Sequence, residues 1–492
     1  MKNKWMLLAL LLVIPFSSCN KFLDVNKDPF LPQEAQPHLY LPQLIYAMGE
    51  GPMFDVRFIG RYTQYWQQTT ANDNYDRMGR RAVGGGLVGS QTYRNHYWAI
   101  GSNLNQIQRI AQQRGFRSYQ GICTAIRAYS WQISTDLFGE MPYRQAWDNT
   151  LATFEYDSQK FIYQETDKLC DQALRELDDR SGTPDPNLPR FESIYGGDTD
   201  KWKRFVFAIK ARLANHISNK RSYNPQRVIE LVDQAFRNND DDALLRFTTT
   251  AGVRSDFYSF MGPSRANFNA NRQGRMIVNL LNGTYFNNVT DPRLLGMFMP
   301  NATTNVVHGL VPTQGIPAGQ TANFPTIYGK YIHQDGAPYP LVTYAELQFI
   351  KAEAAFRLGN RQLAYTAFVN GIRAHMERVG IAPAAINSYL QTAIPQNGTD
   401  LQLRHIMSQK YIALYGQIEI WSDLRRYNYD GNIFMGFQIP TNLAVENNGK
   451  PVQRMLPPSF SEEDWNSANF RANGGYDVDY HTKPMWFATN ED

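Results

Sequence analysis

The sequence predicts a mostly α-helical fold with long irregular insertions and a few short strands. Apolar residues recur at three- and four-residue spacing through two blocks, 94–240 and 341–427, the period of helices with one buried face. Between the blocks, residues 251–340 hold ten Gly, eight Pro, ten Asn and eleven Phe or Tyr. That composition breaks helices, and loops of such length are usually functional or disordered; the eleven rings argue against disorder. At 492 residues the chain can bury a sizeable core. Residues 19–492 are expected to form a single domain, with 251–340 as a loop-rich insertion on the ligand side.

Residues 1–18 read as an export signal. Lys2 and Lys4 precede twelve apolar residues, Trp5 to Phe16, and Ser17-Ser18 follow, which is a positive start, a short apolar run and small residues before a cut. Twelve apolar residues are too few to span a bilayer, which takes about 20. Cys19 comes next and resembles the lipidated cysteine of a bacterial lipobox, with Phe16 where such motifs usually carry Leu. An ordinary signal peptide with a chance cysteine is the alternative.

Along the mature chain, a short helix is expected at 42–48, and a helical face at 61–68 leads into the polar loop 71–76. Gly84-Gly85-Gly86 lacks the spacing of a phosphate cradle. Tyr97, Ile100, Leu104, Ile107 and Ala111 define a helix ending at Gly115. Ile122, Ala125, Ile126, Tyr129, Ile133 and Leu137 define a second, ending at Gly139, and a third starts at Asp157 or Ser158. After the breaker at 181–186, residues 202–217 form another. Asn224 as cap with Pro225 at the first helical position opens the next. Within the insertion, 326–332 is a candidate strand. Helices return at 344–360 and 361–378, where Ala352, Ala364, Phe368 and Gly371 match the small and aromatic contacts of a tetratricopeptide-type hairpin, and again at 401–424. The tail from Asn432 is rich in Pro, Gly and Asn, carries Trp465, Tyr476, Tyr480 and Trp486, and is expected to wrap the helical body.

Outside the export signal, 47 basic residues face 45 acidic ones. That near-balance argues against nucleic acid as a partner. Aromatics make up 13% of the chain, more than a core alone needs, and Tyr in excess suits wet binding surfaces. Cys123 and Cys170 lie in apolar helical stretches, with buried free thiols as the expectation and one disulfide as the alternative. There is no CxxC, no Cys/His cluster and no HExxH, so neither metal nor cofactor is expected. Residues 238–242, Asn-Asn-Asp-Asp-Asp, lack the Gly and terminal Glu of an EF-hand and read as a solvated helix-end loop. Residues 262–266, Gly-Pro-Ser-Arg-Ala, lack the closing Gly of a nucleophile elbow. No catalytic residue is expected.

Several stretches follow one another across nearly the whole mature chain: 19–29 (Cys-Asn-Lys-Phe-Leu-Asp-Val-Asn-Lys-Asp-Pro), 135–143 (Thr-Asp-Leu-Phe-Gly-Glu-Met-Pro-Tyr), Tyr195-Gly196-Gly197-Asp198 with Trp202-Lys203-Arg204-Phe205, 211–214, 345–356, Gly371-Ile372-Arg373, and 409–415 leading to Trp421-Ser422-Asp423-Leu424-Arg425-Arg426. In this order they resemble the SusD/RagB family of outer-membrane nutrient-binding lipoproteins, on its SusD-like branch. Residues 454–458, Arg-Met-Leu-Pro-Pro, depart from the family's Arg-aromatic-Pro pattern. The resemblance implies a helical scaffold of tetratricopeptide-like hairpins whose irregular insertions carry the ligand site. It implies a lipid-anchored protein on the outer surface of a Gram-negative outer membrane, capping a SusC-like TonB-dependent transporter. Such a protein captures an oligomeric nutrient, usually a glycan and in RagB-like members a peptide, and passes it on without chemistry.

Glycan capture needs exposed ring faces with polar groups beside them. Trp66 and Tyr75 flank an Asn/Asp-rich loop, and Tyr258, Phe268, Phe324, Tyr328 and Tyr331 lie in the insertion; these are the candidate ligand-binding residues, though packing in a core or loop is the commoner use of any single one. Arg425-Arg426 are read as helix-end packing and ion pairing rather than a ligand clamp. Two rival readings stay open: an exported helical glycoside hydrolase, which requires two carboxylates roughly 5 to 9 Å apart, and a transporter subunit with no ligand site. A Cys19→Ala variant is expected to lose membrane association while keeping its fold and its ligand affinity in solution. Fractionation of cells lacking the transporter checks this, and tight membrane retention there would overturn the anchor.

Overall fold

The computed structural model describes residues 35–79, 90–250, 254, 255, 257 and 270–492. Its first helix, α1 (Pro37–Tyr62), is far longer than the 42–48 segment and contains Pro42 and Pro52. It ends against its own continuation. A Cβ on Gly60 would lie 2.2 Å from Trp66 Cζ2, so only glycine lets the indole fold back under the helix. The chain turns through Gln64 at φ 64°, and residues Trp66–Gln68 form strand β1. The helical face expected at 61–68 therefore stops at Tyr62, because burying Tyr65 and Trp66 requires the turn.

The scaffold helices begin and end where local chemistry directs. A continuous rod runs through α2 (Gln91–Arg94), a π-helical segment (Asn95–Ser102) and α3 (Asn103–Arg114), closed by Gly115 in the left-handed conformation. Helix α4 spans Arg117–Phe138. The Ser158 hydroxyl caps α5 (Gln159–Asp178), accepting from Phe161 N at 3.3 Å. After the short α6 (Leu188–Phe191), Asp198 caps α7 (Thr199–His216) and Asn224 caps α8 (Pro225–Gln234), each oxygen satisfying otherwise unpaired N–H groups of the first turn. Successive helices pack side by side, α4 on α5, α5 on α7 and α7 on α8.

The insertion is stitched to this scaffold by two small antiparallel pairs. Strand β2 (Ala243–Leu245) pairs with β4 (Tyr339–Val342), and β3 (Asn271–Gln273) pairs with β1 in the register Trp66 to Gln273. Between β3 and β4 lie the short helices α9 (Arg275–Leu281) and α10 (Arg293–Met297). No strand forms at 326–332. Gly329 at φ 112° and Tyr331 at φ 51° take the backbone out of the extended region, and 331–333 close a single 3-10 turn.

Helices α11 (Tyr344–Leu358) and α12 (Arg361–Val379) form the expected hairpin, with Gly359 as left-handed hinge. Gly371 sits against Phe349, where an added Cβ would come within 2.9 Å of the ring, so the small residue at this contact permits close helix packing. Helix α13 (Pro383–Thr392) follows. The stretch 401–424 splits into α14 (Leu403–Ala413) and α15 (Glu419–Arg426), because Gly416 at φ 77° turns the chain beneath Ile332. The tail adds α16 (Ser459–Glu462) and α17 (Ser467–Ala472). One continuous apolar core extends from Leu41 to Phe487. Among the described residues no helix is long and apolar enough to cross a membrane. Cys123 and Cys170 are buried free thiols, and burial pushes the Cys123 thiol up to about 12.

Charges are buried at the helix joints. The Arg212 guanidinium on α7 grips Glu346 on α11 with two bonds of 2.6 and 2.7 Å. Arg426 pairs with Glu353 and, at 2.7 Å, with Asp423, whose other oxygen lies 2.8 Å from Lys410 Nζ. Arg425 donates to the carbonyls of Asp136 (2.6 Å) and Gln453 (2.9 Å). The Arg425-Arg426 pair is thus structural, as the helix-end reading has it. At 238–242 the loop is less solvated than expected: Asp241 and Asp242 are buried in pairs with Arg204 and Arg378. An Arg426→Met variant leaves Glu353 without its main partner in a dry interior and is expected to lose about 3–5 kcal/mol in chemical denaturation. Lys168→Ala, which breaks only the exposed pair with Glu165, should change stability by less than about 1 kcal/mol.

Candidate ligand-binding cleft

A cleft of about 620 Å³ opens where three separated parts of the chain meet. The first wall is the rod α2–π–α3. Its N-terminus is held by the buried Asp55 of α1, whose carboxylate accepts from Gln91 N (3.0 Å) and Thr92 N (2.8 Å). Burial raises Asp55 to about 6 against the opposite pull of those N–H groups. The wider π turn at 95–102 leaves room at Gly101, where a Cβ would lie 1.9 Å from Trp147 Cζ2. The Trp147 indole fills that space and donates from Nε1 to Tyr97 O at 2.7 Å. Trp147 itself is held at φ 64°, a conformation costly for a bulky residue. Trp98, on the same π segment, is 72% exposed.

The second wall is the loop from Pro142 to Phe154, fixed by Tyr97 Oη donating to Pro142 O at 2.8 Å. Asp157 also holds it, accepting from Tyr143 N (2.9 Å) and Arg144 N (2.8 Å). The third wall is the tail segment around α16. Asn466 bonds Phe154 at both N and O, each at 3.0 Å, tying tail to loop. Phe460 is 40% exposed and Trp465 77%. Glu462 is buried and turned inward, accepting from Tyr93 Oη (2.9 Å), Tyr156 Oη (2.6 Å) and Asn466 Nδ2 (3.0 Å). The lining is mostly aromatic and apolar, with Arg94, Ser102, Ser461 and Asn466 as polar points. Its volume lies within the range of small-molecule and oligomer pockets, and two indoles offering open faces suit the flat apolar sides of a ligand that also carries polar groups.

The chain matches the SusD-like family described as "Starch-binding associating with outer membrane" over residues 29–458. It belongs to that family. Solved SusD-family structures share the fold. A SusD homologue from Bacteroides fragilis superposes with a TM-score of 0.72 at 19% identity, over 93% of this chain and 100% of the other. A SusD/RagB family protein from Bacteroides thetaiotaomicron gives 0.69 at 22%, over 93% and 100%. A chitin-binding SusD homologue from Flavobacterium johnsoniae gives 0.70 at 19%, over 92% and 96%. No curated protein matches the chain.

Within this SusD-like fold the singled-out residues that are described lie apart from the cleft. Trp66 is fully buried, with Nε1 donating to Arg57 O at 3.1 Å. Tyr75 packs against Phe58 at 4.7 Å. Phe324 is buried beneath His308, Tyr328 is half-buried, and the Tyr331 hydroxyl meets His375 Nε2 at 3.1 Å. Cys19, Tyr258, Phe268 and the segment 262–266 lie outside the described residues. The cleft aromatics left one sequence signal: Trp98 falls off the buried period of Tyr97, Ile100 and Leu104, a large ring on the outward face of an amphipathic helix.

Asp136, His216 and Glu419 are residue types that bind metals, with ligand atoms within 4.8 Å of one another. Their surroundings suit an internal ion cluster better. Arg212 Nη1 stands 3.7 Å from Glu419, and His216 faces Glu419 through Nε2 at 2.5 Å and Asp136 through Nδ1 at 3.3 Å. Burial opposes the imidazolium, but the two carboxylates outweigh it and raise His216 to about 9, and a protonated ring has no lone pair for a metal. Because the folded value lies above the ordinary 6.5, the stabilisation is complete below about pH 6.5 and is lost as pH rises through about 9. Denaturation midpoints are expected to fall across that window, and His216→Gln should remove that part of the slope.

Proposed function

We propose that this chain is a cell-surface glycan-binding lipoprotein that captures an oligosaccharide in the cleft between Trp98 and Trp465 and delivers it, without catalysis, to a SusC-like TonB-dependent transporter. The observation that carries the reading is a pair of indoles left open to solvent on a cleft whose walls are tied together by hydrogen bonds. Apolar rings of that size are normally buried, and their exposure is explained by a ligand that stacks on them. Family membership supports a glycan as the ligand, and one structural relative is itself a chitin-binding protein. Lipid on Cys19 would hold the protein at the outer membrane beside its transporter.

The carboxylate chemistry of the cleft supports binding over hydrolysis. Glycosidases place two acids across the scissile bond, roughly 5 to 9 Å apart. Here Glu462 is the carboxylate among the lining residues, and three donors already occupy it. A peptide is the alternative ligand, since an apolar lining also accepts hydrophobic side chains.

Titration calorimetry against panels of oligosaccharides and peptides tests the reading. A glycan should bind, and Trp98→Ala and Trp465→Ala should each weaken it about tenfold or more, a loss of at least about 1.4 kcal/mol. Thermal stability should stay near that of the parent protein, because both rings are largely exposed. Turnover of a bound oligomer would overturn the non-catalytic assignment, and selective binding of peptides would replace the glycan.

A further inference from the structure

The cleft lining holds a cation with no ion-pair partner among the described residues. Arg94 stands in the lining with its guanidinium carbon 5.7 Å from the Phe460 ring centre, within cation–π range. Its one hydrogen bond is from Nη1 to Gln91 Oε1 at 3.3 Å, and no carboxylate among the described residues comes within ion-pair distance. Glu50 accepts from Gln91 Nε2 (3.2 Å) and Asn95 Nδ2 (2.6 Å), so the bonded path from Arg94 to that carboxylate runs through Gln91. Glu462, the other charged lining residue, is turned into the protein by Tyr93, Tyr156 and Asn466. A guanidinium carries five N–H donors in a planar fork, and four of them here have no acceptor among the described residues. In the adjoining segments Arg144 pairs with Asp157 and Arg454 with Glu140.

We propose that the ligand of this cleft is an acidic glycan, and that Arg94 reads its oxyanion, a carboxylate or a sulfate ester, while Trp98 and Trp465 stack on the sugar rings. The proposal rests on the glycan reading of the cleft and adds the substituent that the glycan carries. Arginine suits both oxyanions because its fork meets two oxygens at once, and the apolar surroundings strengthen such a bond relative to water. A neutral glycan would cover the guanidinium with hydroxyls alone.

Matched pairs test it by calorimetry on the purified mature chain: oligogalacturonides against their methyl esters for the carboxylate, and sulfated galactan oligomers against their desulfated forms for the sulfate. At low salt at least one charged member should bind about tenfold or more tighter than its neutral partner, and added salt should narrow the gap. Arg94→Ala should close the gap by weakening the charged member far more than its neutral partner, and Arg94→Lys should restore part of it. Equal affinity for charged and neutral partners, or a gap that survives Arg94→Ala, would sink the proposal. If Trp98→Ala and Trp465→Ala abolish binding while Arg94→Ala does nothing, the glycan site stands and only the acidic substituent is wrong. If neither tryptophan variant weakens any glycan, the cleft itself is wrong and the proposal falls with it. Tighter binding of acidic peptides than of acidic glycans likewise overturns it.

Discussion

The rest of the structure depends on the charges buried where α4, α7, α11, α14 and α15 converge. Arg212 on α7 meets Glu346 on α11, His216 on α7 meets Glu419 on α15, Lys410 on α14 meets Asp423 on α15, and Arg426 on α15 meets Glu353 on α11. A buried charge stripped of its partner costs several kcal/mol, so helices that slid or rotated against one another would leave such charges unpaired. Apolar packing brings these helices together; the ion pairs select one arrangement. The tail inherits that arrangement. Arg425 holds Gln453 O, Met455 N donates to Leu137 O at 2.8 Å, and Arg454 pairs with Glu140. The tail segment that follows becomes a wall of the cleft.

The cleft is where the fold departs most from regular geometry. A π-helical segment, a tryptophan at positive φ and a glycine that no other residue could replace without moving an indole occur within a few residues of one another. Strain of this kind persists only when the surroundings over-determine it, and it concentrates at functional sites. Here its effect is concrete: the wide turn admits Trp147 from behind, and Trp98 stays on the outside. The walls are rigidly tied to each other, by Asn466 to Phe154 and by Tyr97 to Pro142. A ligand would therefore meet preformed walls, with little backbone ordering left to oppose binding.

Much of the scaffold was legible in the sequence because helix ends are local chemistry. Ser158, Asn224, Gly115 and Gly139 each stop or start a helix through their own side chain or their tolerance of positive φ. Two misreadings have a common cause. The break at Gly416 and the absence of a strand at 326–332 go with contacts distant in sequence, Gly416 with the side chain of Ile332 and Tyr331 with His375. Periodicity within a window carries no information about such partners. The acidic run at 238–242 misled in the same way, since Arg378 comes from another helix.

By itself, then, the sequence determined a helical scaffold with its caps and the family pattern spread over nearly the whole chain. All of these are written in adjacent residues or in spacings of a few positions. Only the tertiary structure decided which aromatics face solvent. Trp66 looked available beside a polar loop and is fully buried, whereas Trp465, in a tail expected to wrap the helical body, is largely exposed. The cleft joins residues 93–102, 142–154 and 458–466, and exposure at such a junction is a property of the closed fold, set by which faces the buried charges and the core leave over.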